Sequence, residues 1–340
     1  MKELSGKEIQ QSLAQEIIAA HLPKSGTLEI STVNAGVSFD EEFEAASKRI
    51  KERTSKTHDL FTYLQKQSEL GFTPVQYQIF RDNFTHRTIS TIPTVAATIA
   101  AAALSGDEQT VVETLQNLQE ECGFGSQKLM HSRLLSDSHD NLGEVVYNLK
   151  PLGSLKASFI SNLLVPAVTT YHNSKLKTFN QSSYAVLAGN GFAHETSADN
   201  MLDNFRKALF EPVKGYYTED DYNKKIMPFF KAHKDDSVKG GNIEENHGIM
   251  AEAAAKRSCL GKIDNIENME RGAVEFFNCQ DNLFNEMKDA IEKAGKIGVI
   301  VPPKSNFKDV EIPGSSPGSK NISQLASEPN AKVPAGNSKL

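Results

Sequence analysis

Two glycines separate an acid from a histidine in "NLQEECGFGSQKLMHSRLL", residues 117–135. Ten residues of straight helix would hold Glu121 and His131 roughly 15 Å apart, too far to share one small site. Gly123 and Gly125 each cost about 1 kcal/mol in a helix interior and permit backbone angles that other residues avoid, so a bend is expected there. Four of the nine histidines lie close in sequence to glutamates: here, in "HE" at 194 and 195, and in "HKDDSVKGGNIEENH" at 233–247. Acid and imidazole together are ligands for non-haem iron, manganese or zinc. Glu244 and His247, three apart, project from one helical face, which is how helical di-iron carboxylate proteins supply two ligands from one turn. Taken alone that spacing is equally that of a solvated helical face, and His131 alone is equally an ordinary half-buried histidine.

The surrounding pattern is helical. In "SFDEEFEAASKRIKERT", Ser38 or Asp40 can cap, acids fill the first turn and basic residues follow. Thr73 caps the next clear helix, with Pro74 at its first position; Tyr77, Phe80 and Phe84 recur along one face as core, and Pro93 should kink or end the run before Ala96. Further helices are legible at 108–121, 155–174, 182–209, 220–233, 246–257 and 266–294. The pattern predicts an all-α domain of seven to nine helices over residues 41–296, after an N-terminal extension at 1–40. "IGVIV" at 297–301 is the one β-like run. Beyond it, Pro, Gly, Ser, Asn and Lys dominate, so 297–340 reads as a C-terminal tail, disordered from 303 on.

Composition narrows the function. A net charge of -6 provides no basic field for nucleic acid or anionic lipid. No apolar run reads as long enough to span a bilayer and no signal peptide is legible, so the cytosol is expected, with export by a specialised secretion machine left open. Cys122, Cys259 and Cys279 form neither a disulfide framework nor a thiolate zinc site.

The 117–135 stretch resembles the "N-L-x-x-E-x-G-x-G … H-s-x-L" signature of the haem-oxygenase-like di-iron oxidases and oxygenases, also called iron-containing redox enzymes, with Asn117, Leu118, Glu121, Gly123, Gly125, His131 and Leu134 in place. Three further stretches are similar to that family in order. They are the aromatic helix in "FRDNFTHRTISTIPTVAATIA", the helix carrying a bridging glutamate in "YAVLAGNGFAHETSADNMLDNFRKAL", and the last ligand helix in "MPFFKAHKDDSVKGGNIEENHGIMAEAA". The resemblance spans residues 40–292. It implies a haem-oxygenase-like helical bundle in which Glu121, His131, Glu195, His233, Glu244 and His247 hold two iron ions, or manganese, that activate dioxygen. The substrate would be a small organic molecule, an amine, amino acid or fatty acid, with no nucleic-acid or membrane partner; a homodimer is compatible with it. One departure is that ten residues, not three, separate His233 from Glu244, so Asp235 or Asp236 is an alternative acid unless "DSVKGGN" loops out. Alternative functions are a metal-free helical binding or effector module that keeps the fold, and haem oxygenase itself with His58 as the proximal ligand. Outside the ligand set, His86 and His194 flank it, Cys122 fills space, and His139 in "SDSHDNLGE" is expected to cap or turn the chain.

Overall fold

Ser38 opens the first helix by a reciprocal cap, its hydroxyl accepting from the Glu41 amide while the Glu41 carboxylate accepts from the Ser38 amide at 3.0 Å. Helix α1 then runs over Phe39–Thr54 and α2 over Asp59–Ser68. The computed structural model describes residues 38–152, 161–234, 243–296 and 298–308, with the backbone alone at 181, 234 and 243–245. Thr73 and Gln76 repeat the reciprocal cap at the start of α3, Pro74–Arg87. A 3-10 turn at Thr88–Ser90 leads into α4, Thr91–Leu104. The break anticipated at Pro93 falls just before it, around the carbonyl of Ile89 that a proline four residues on cannot bond and would crowd.

Asp107 caps α5, Glu108–Glu121, by accepting from the Thr110 amide. Helices α6 (His131–Tyr147) and α7 (Pro166–Gln181) follow, and α8 (Tyr184–Phe205) continues through a π turn, Arg206–Phe210, and a 3-10 turn, Glu211–Tyr216. The last four are α9 (Glu219–Lys225), α10 (Met227–Lys234), α11 (Ile243–Ser258) and α12 (Ile263–Ala294). The fold is therefore an all-α bundle. Its helical segments outnumber the seven to nine expected because turns subdivide longer rods: α3 and α4 meet at Thr88–Ser90, and a single residue, Ile226, divides the 220–233 pattern into α9 and α10.

Helices α8 and α12 form the axis of the bundle. They approach so closely that a Cβ on Gly189 would fall 1.9 Å from the Met269 carbonyl oxygen, and one on Gly272 would fall 2.0 Å from that of Val186. Around this contact lie two apolar clusters. One holds Tyr77, Phe80, Phe84, Phe205, Phe210 and Phe230; the other holds Phe43, Phe192, Ile266 and Phe276. Each such side chain contributes about 1.5–3 kcal/mol by leaving water. The run Pro74–Leu104 is long and apolar enough by composition to cross a membrane, with a mean hydropathy of 1.3. It also carries Arg81, Asp82 and Arg87, all buried in the protein.

Residues 298–308, assigned to the tail on composition, are instead tied to the helices. Val301 donates to the Phe72 carbonyl at 2.9 Å and forms an isolated antiparallel bridge with it; Lys304 accepts from the Gly215 amide at 2.6 Å, and Lys308 donates to Tyr217 at 3.0 Å. The β-like "IGVIV" run supplies that bridge. The extension at 1–37 and the tail from 309 lie outside the described residues.

Candidate metal centre

Helix α5 ends at Glu121, and after Cys122 three successive residues, Gly123 (φ 61), Phe124 (φ 50) and Gly125 (φ 86), all take left-handed angles. Two of the three bear no side chain, so the reversal falls mainly where it costs least. The close approach also needs glycine: a Cβ at Gly123 would fall 2.4 Å from the Leu129 carbonyl carbon and 2.6 Å from the Met130 nitrogen. The chain therefore folds back at once and α6 starts on His131. The result is Glu121 Oε1 at 3.1 Å from His131 Nδ1, with 13% and 8% of their side-chain surfaces exposed.

Helix α10 delivers a third group. The His233 ring lies 4.3 Å, centroid to centroid, from that of His131. Ligand-type atoms of Glu121, His131 and His233 all lie within 4.8 Å of one another. His233 Nδ1 is 2.7 Å from the Phe229 carbonyl, which can only accept, so the proton sits on Nδ1 and Nε2 carries the lone pair. Burial, and then the neighbouring His131, push the His233 pKa down to about 3, so this imidazole is neutral.

A second group adjoins the first. His247, on α11, places Nε2 at 2.7 Å from Glu120 Oε2 and Nδ1 at 3.8 Å from Glu195 Oε2. Asn117 donates to the other Glu195 oxygen at 3.2 Å. Glu195 is buried on α8; burial raises its pKa, Glu121 adds to that as a like charge, and His247 and Asn117 act against it. Burial also acts to raise Glu121 and Glu120, but the imidazoles outweigh it: His131, His233 and His247 hold Glu121 below the ordinary carboxylate range, and a hydrogen bond from His247 does the same for Glu120. Three carboxylates and three imidazoles thus gather in the interior, and a bound cation would balance the negative charge of the carboxylates. The donor set, carboxylate oxygen with imidazole nitrogen, fits iron or manganese.

Five of the six residues singled out in the sequence thus come together in two adjoining groups. His233 joins Glu121 and His131, whereas it was expected to act with Glu244. The Glu244 side chain, Asp235 and Asp236 lie outside the described residues. Glu120 was missed in the sequence; its one signal is the doubled acid of "EE" at the end of α5. His139 neither caps nor turns the chain: it lies buried in the middle of α6, 3.0 Å from the Tyr77 hydroxyl. His58 caps α2 by accepting from the Leu60 amide at 3.1 Å. His86 packs against His172 with ring centroids 5.0 Å apart, and Cys122 is half-buried.

The first group opens on a cavity between α3, α6 and α8, whose apolar wall includes Phe84, Ile92, Leu135, Met201, Leu202 and Phe229. A smaller one, lined by Thr98, Gly191, Ala251 and Ala254, reaches Glu195 and His247. Glu195 lines both.

No protein-family model matches the chain, and no curated protein matches it. A solved structure of a CadD-like protein of unknown function from Nostoc punctiforme PCC 73102 is similar in fold, with a TM-score of 0.54 at 14% identity, covering 75% of this chain and 99% of that one. A second structure of that protein gives 0.51 at 14% identity, covering 75% and 97%. At that identity the likeness shows a shared all-α fold.

Proposed function

We propose that the protein is a non-haem di-iron oxidase or oxygenase that uses dioxygen on a small organic substrate. The observation that carries this reading is the convergence of Glu121, His131 and His233 to within 4.8 Å, in the wall of a cavity whose other lining includes Phe84, Leu135 and Leu202. Glu121, His131 and His233 would hold one metal ion, His247 and Glu195 a second, with Glu195 placed between the groups. Bound iron would supply the electrons and the Lewis acidity that dioxygen chemistry needs. The chain itself supplies the rest. Phe229 fixes the His233 tautomer, Asn117 orients Glu195, and the ring of Phe84, Leu135 and Leu202 keeps water from the substrate's reactive carbon.

One observation favours a second reading, a metal-free helical binding module. Glu121 with His131, and Glu120 with His247, already pair directly, so the interior polar groups are partly satisfied without metal. Iron analysis after anaerobic loading with ferrous iron separates the two. The enzyme reading expects close to two equivalents bound, one of them lost in Glu121→Ala, and dioxygen uptake on exposure to air. Full retention of iron-free behaviour under those conditions supports the binding module and removes the oxidase reading.

A further inference from the structure

Arg87, the last residue of α3, is 2% exposed and lines the cavity together with Glu121, His131 and His233. Three rings hold its guanidinium: Phe84, Tyr171 and Phe284 lie 5.8, 5.6 and 6.0 Å from the Arg87 Cζ. One Nη donates to the Gln280 side-chain oxygen, a neutral acceptor, while the buried Nε has no hydrogen-bond partner. Among the described residues no carboxylate forms an ion pair with it, whereas the other buried arginine, Arg81, is paired with Asp82 at 3.0 Å. Burying an unpaired cation is expensive, and aromatic faces return only part of that cost. An arginine left with spare donors in the wall of an apolar cavity has the chemistry to take up a carboxylate through two parallel hydrogen bonds.

We propose that Arg87 is the receptor for a substrate carboxylate, so that the cavity takes an organic acid with its head group at Arg87 and its apolar body along Phe84, Leu135 and Met201 toward the Glu121–His131–His233 group. This names the substrate class for the oxidase reading and rests on it for the reaction, but the binding step needs no metal. Thr88 and Thr91 stand beside Arg87 on the same wall; the Thr88 hydroxyl donates to the Thr85 carbonyl at 2.7 Å, and the Thr91 hydroxyl can donate to the same head group as Arg87.

Titration calorimetry on metal-free full-length protein tests it, with octanoate and 3-phenylpropanoate as probes and the alcohols and amines of the same skeletons as controls. The acids should bind at least tenfold more tightly than the alcohols, and the amines should not bind. Arg87→Gln should weaken acid binding roughly 10- to 100-fold while leaving the alcohols unchanged. Equal affinity for acid and alcohol in the wild type, or an acid preference undiminished in Arg87→Gln, overturns the proposal. If thermal melts show that Arg87→Gln does not fold, Arg87→Lys decides: it keeps the charge and loses the fork, so the acid preference should shrink, and an unchanged preference counts against it. Iron content of the same wild-type preparation keeps the two readings apart. Acid binding without iron uptake refutes the di-iron reading alone; iron uptake without acid preference refutes the Arg87 receptor alone.

Discussion

The Glu121 carboxylate meets the His131 imidazole at 3.1 Å although the two residues are ten apart in the chain. Residues 123–125, each at positive φ, make that possible by turning the backbone within less than one helical turn. The two glycines have different jobs. Gly123 is pressed against the Leu129 and Met130 backbone, while nothing lies within 4 Å of where a Gly125 side chain would point.

Gly125→Ala should therefore cost only the left-handed strain, about 1–2 kcal/mol, and leave the site intact. Gly123→Ala adds a backbone clash that cannot be relieved without moving Leu129, and should cost more than about 2 kcal/mol. It should also displace His131 and lower iron binding. Thermal melts and iron content measured on both variants check this; equal effects of the two would contradict the assigned roles.

The boundary of the folded body is testable by truncation. A chain ending at Lys308 keeps the hydrogen bonds of Val301, Lys304 and Lys308 to Phe72, Gly215 and Tyr217, and should melt within a degree or two of the full chain. Ending it at 296 removes all of them. At about 1 kcal/mol per net hydrogen bond, and about 2–4 °C per kcal/mol, the melting temperature should fall by roughly 6 °C or more. Identical melting temperatures would mean that the 298–308 segment adds nothing to stability.

Part of the acid sensitivity should arise away from the site, beside the part that His233 contributes within it. Burial, and then the charge of Arg81, hold the His139 pKa down at about 3, against about 6.5 in an unfolded chain. Below pH 6.5 the unfolded chain takes up a proton that the folded one refuses. Stability therefore falls as the pH drops from about 6.5 toward 3, by up to about 1.4 kcal/mol per unit, and this group adds no slope above pH 7. His139→Gln, which keeps a partner for the Tyr77 hydroxyl, should flatten the decline in urea melts at pH 7, 6 and 5 without changing iron content. A decline as steep as the wild type's would assign the acid sensitivity to other groups.

Local signals made the fold readable. Asp107 and the repeat of apolar residues behind it mark α5 to the residue, and Thr73–Pro74 marks the start of α3. The helix expected at 155–174 is seen from Pro166, which opens α7, while 161–165 are not helical and 155–160 lie outside the described residues. Within the site, Glu121, His131 and His247 were legible because glycine spacing and an i, i+3 pair are local features. That Glu120 faces His247 depends on how α5 meets α11, and that Arg87 faces the cavity unpaired depends on Tyr171, Phe284 and Gln280 arriving from α7 and α12. No local pattern encodes such tertiary meetings.

Glu120 decides how the second group works. An imidazole has two nitrogens, and those of His247 face different acids: Nε2 faces Glu120 at 2.7 Å and Nδ1 faces Glu195 at 3.8 Å. Glu195 also stands near Glu121, whose charge raises its pKa, so Nδ1 is the nitrogen directed toward the other ligands. In the di-iron reading His247 would bind metal through Nδ1, with Glu120 accepting from Nε2–H and holding the ring in place. Glu120→Gln keeps an acceptor but loses the charge. It should weaken the second iron by about 10- to 100-fold and leave the count recoverable at high iron. His247→Ala should remove one equivalent at any concentration, and Glu121→Ala should remove the other. If Glu120→Gln abolishes an equivalent outright, Glu120 is itself a ligand and His247 binds through Nε2. If neither Glu120→Gln nor His247→Ala changes iron binding, the second group holds no metal.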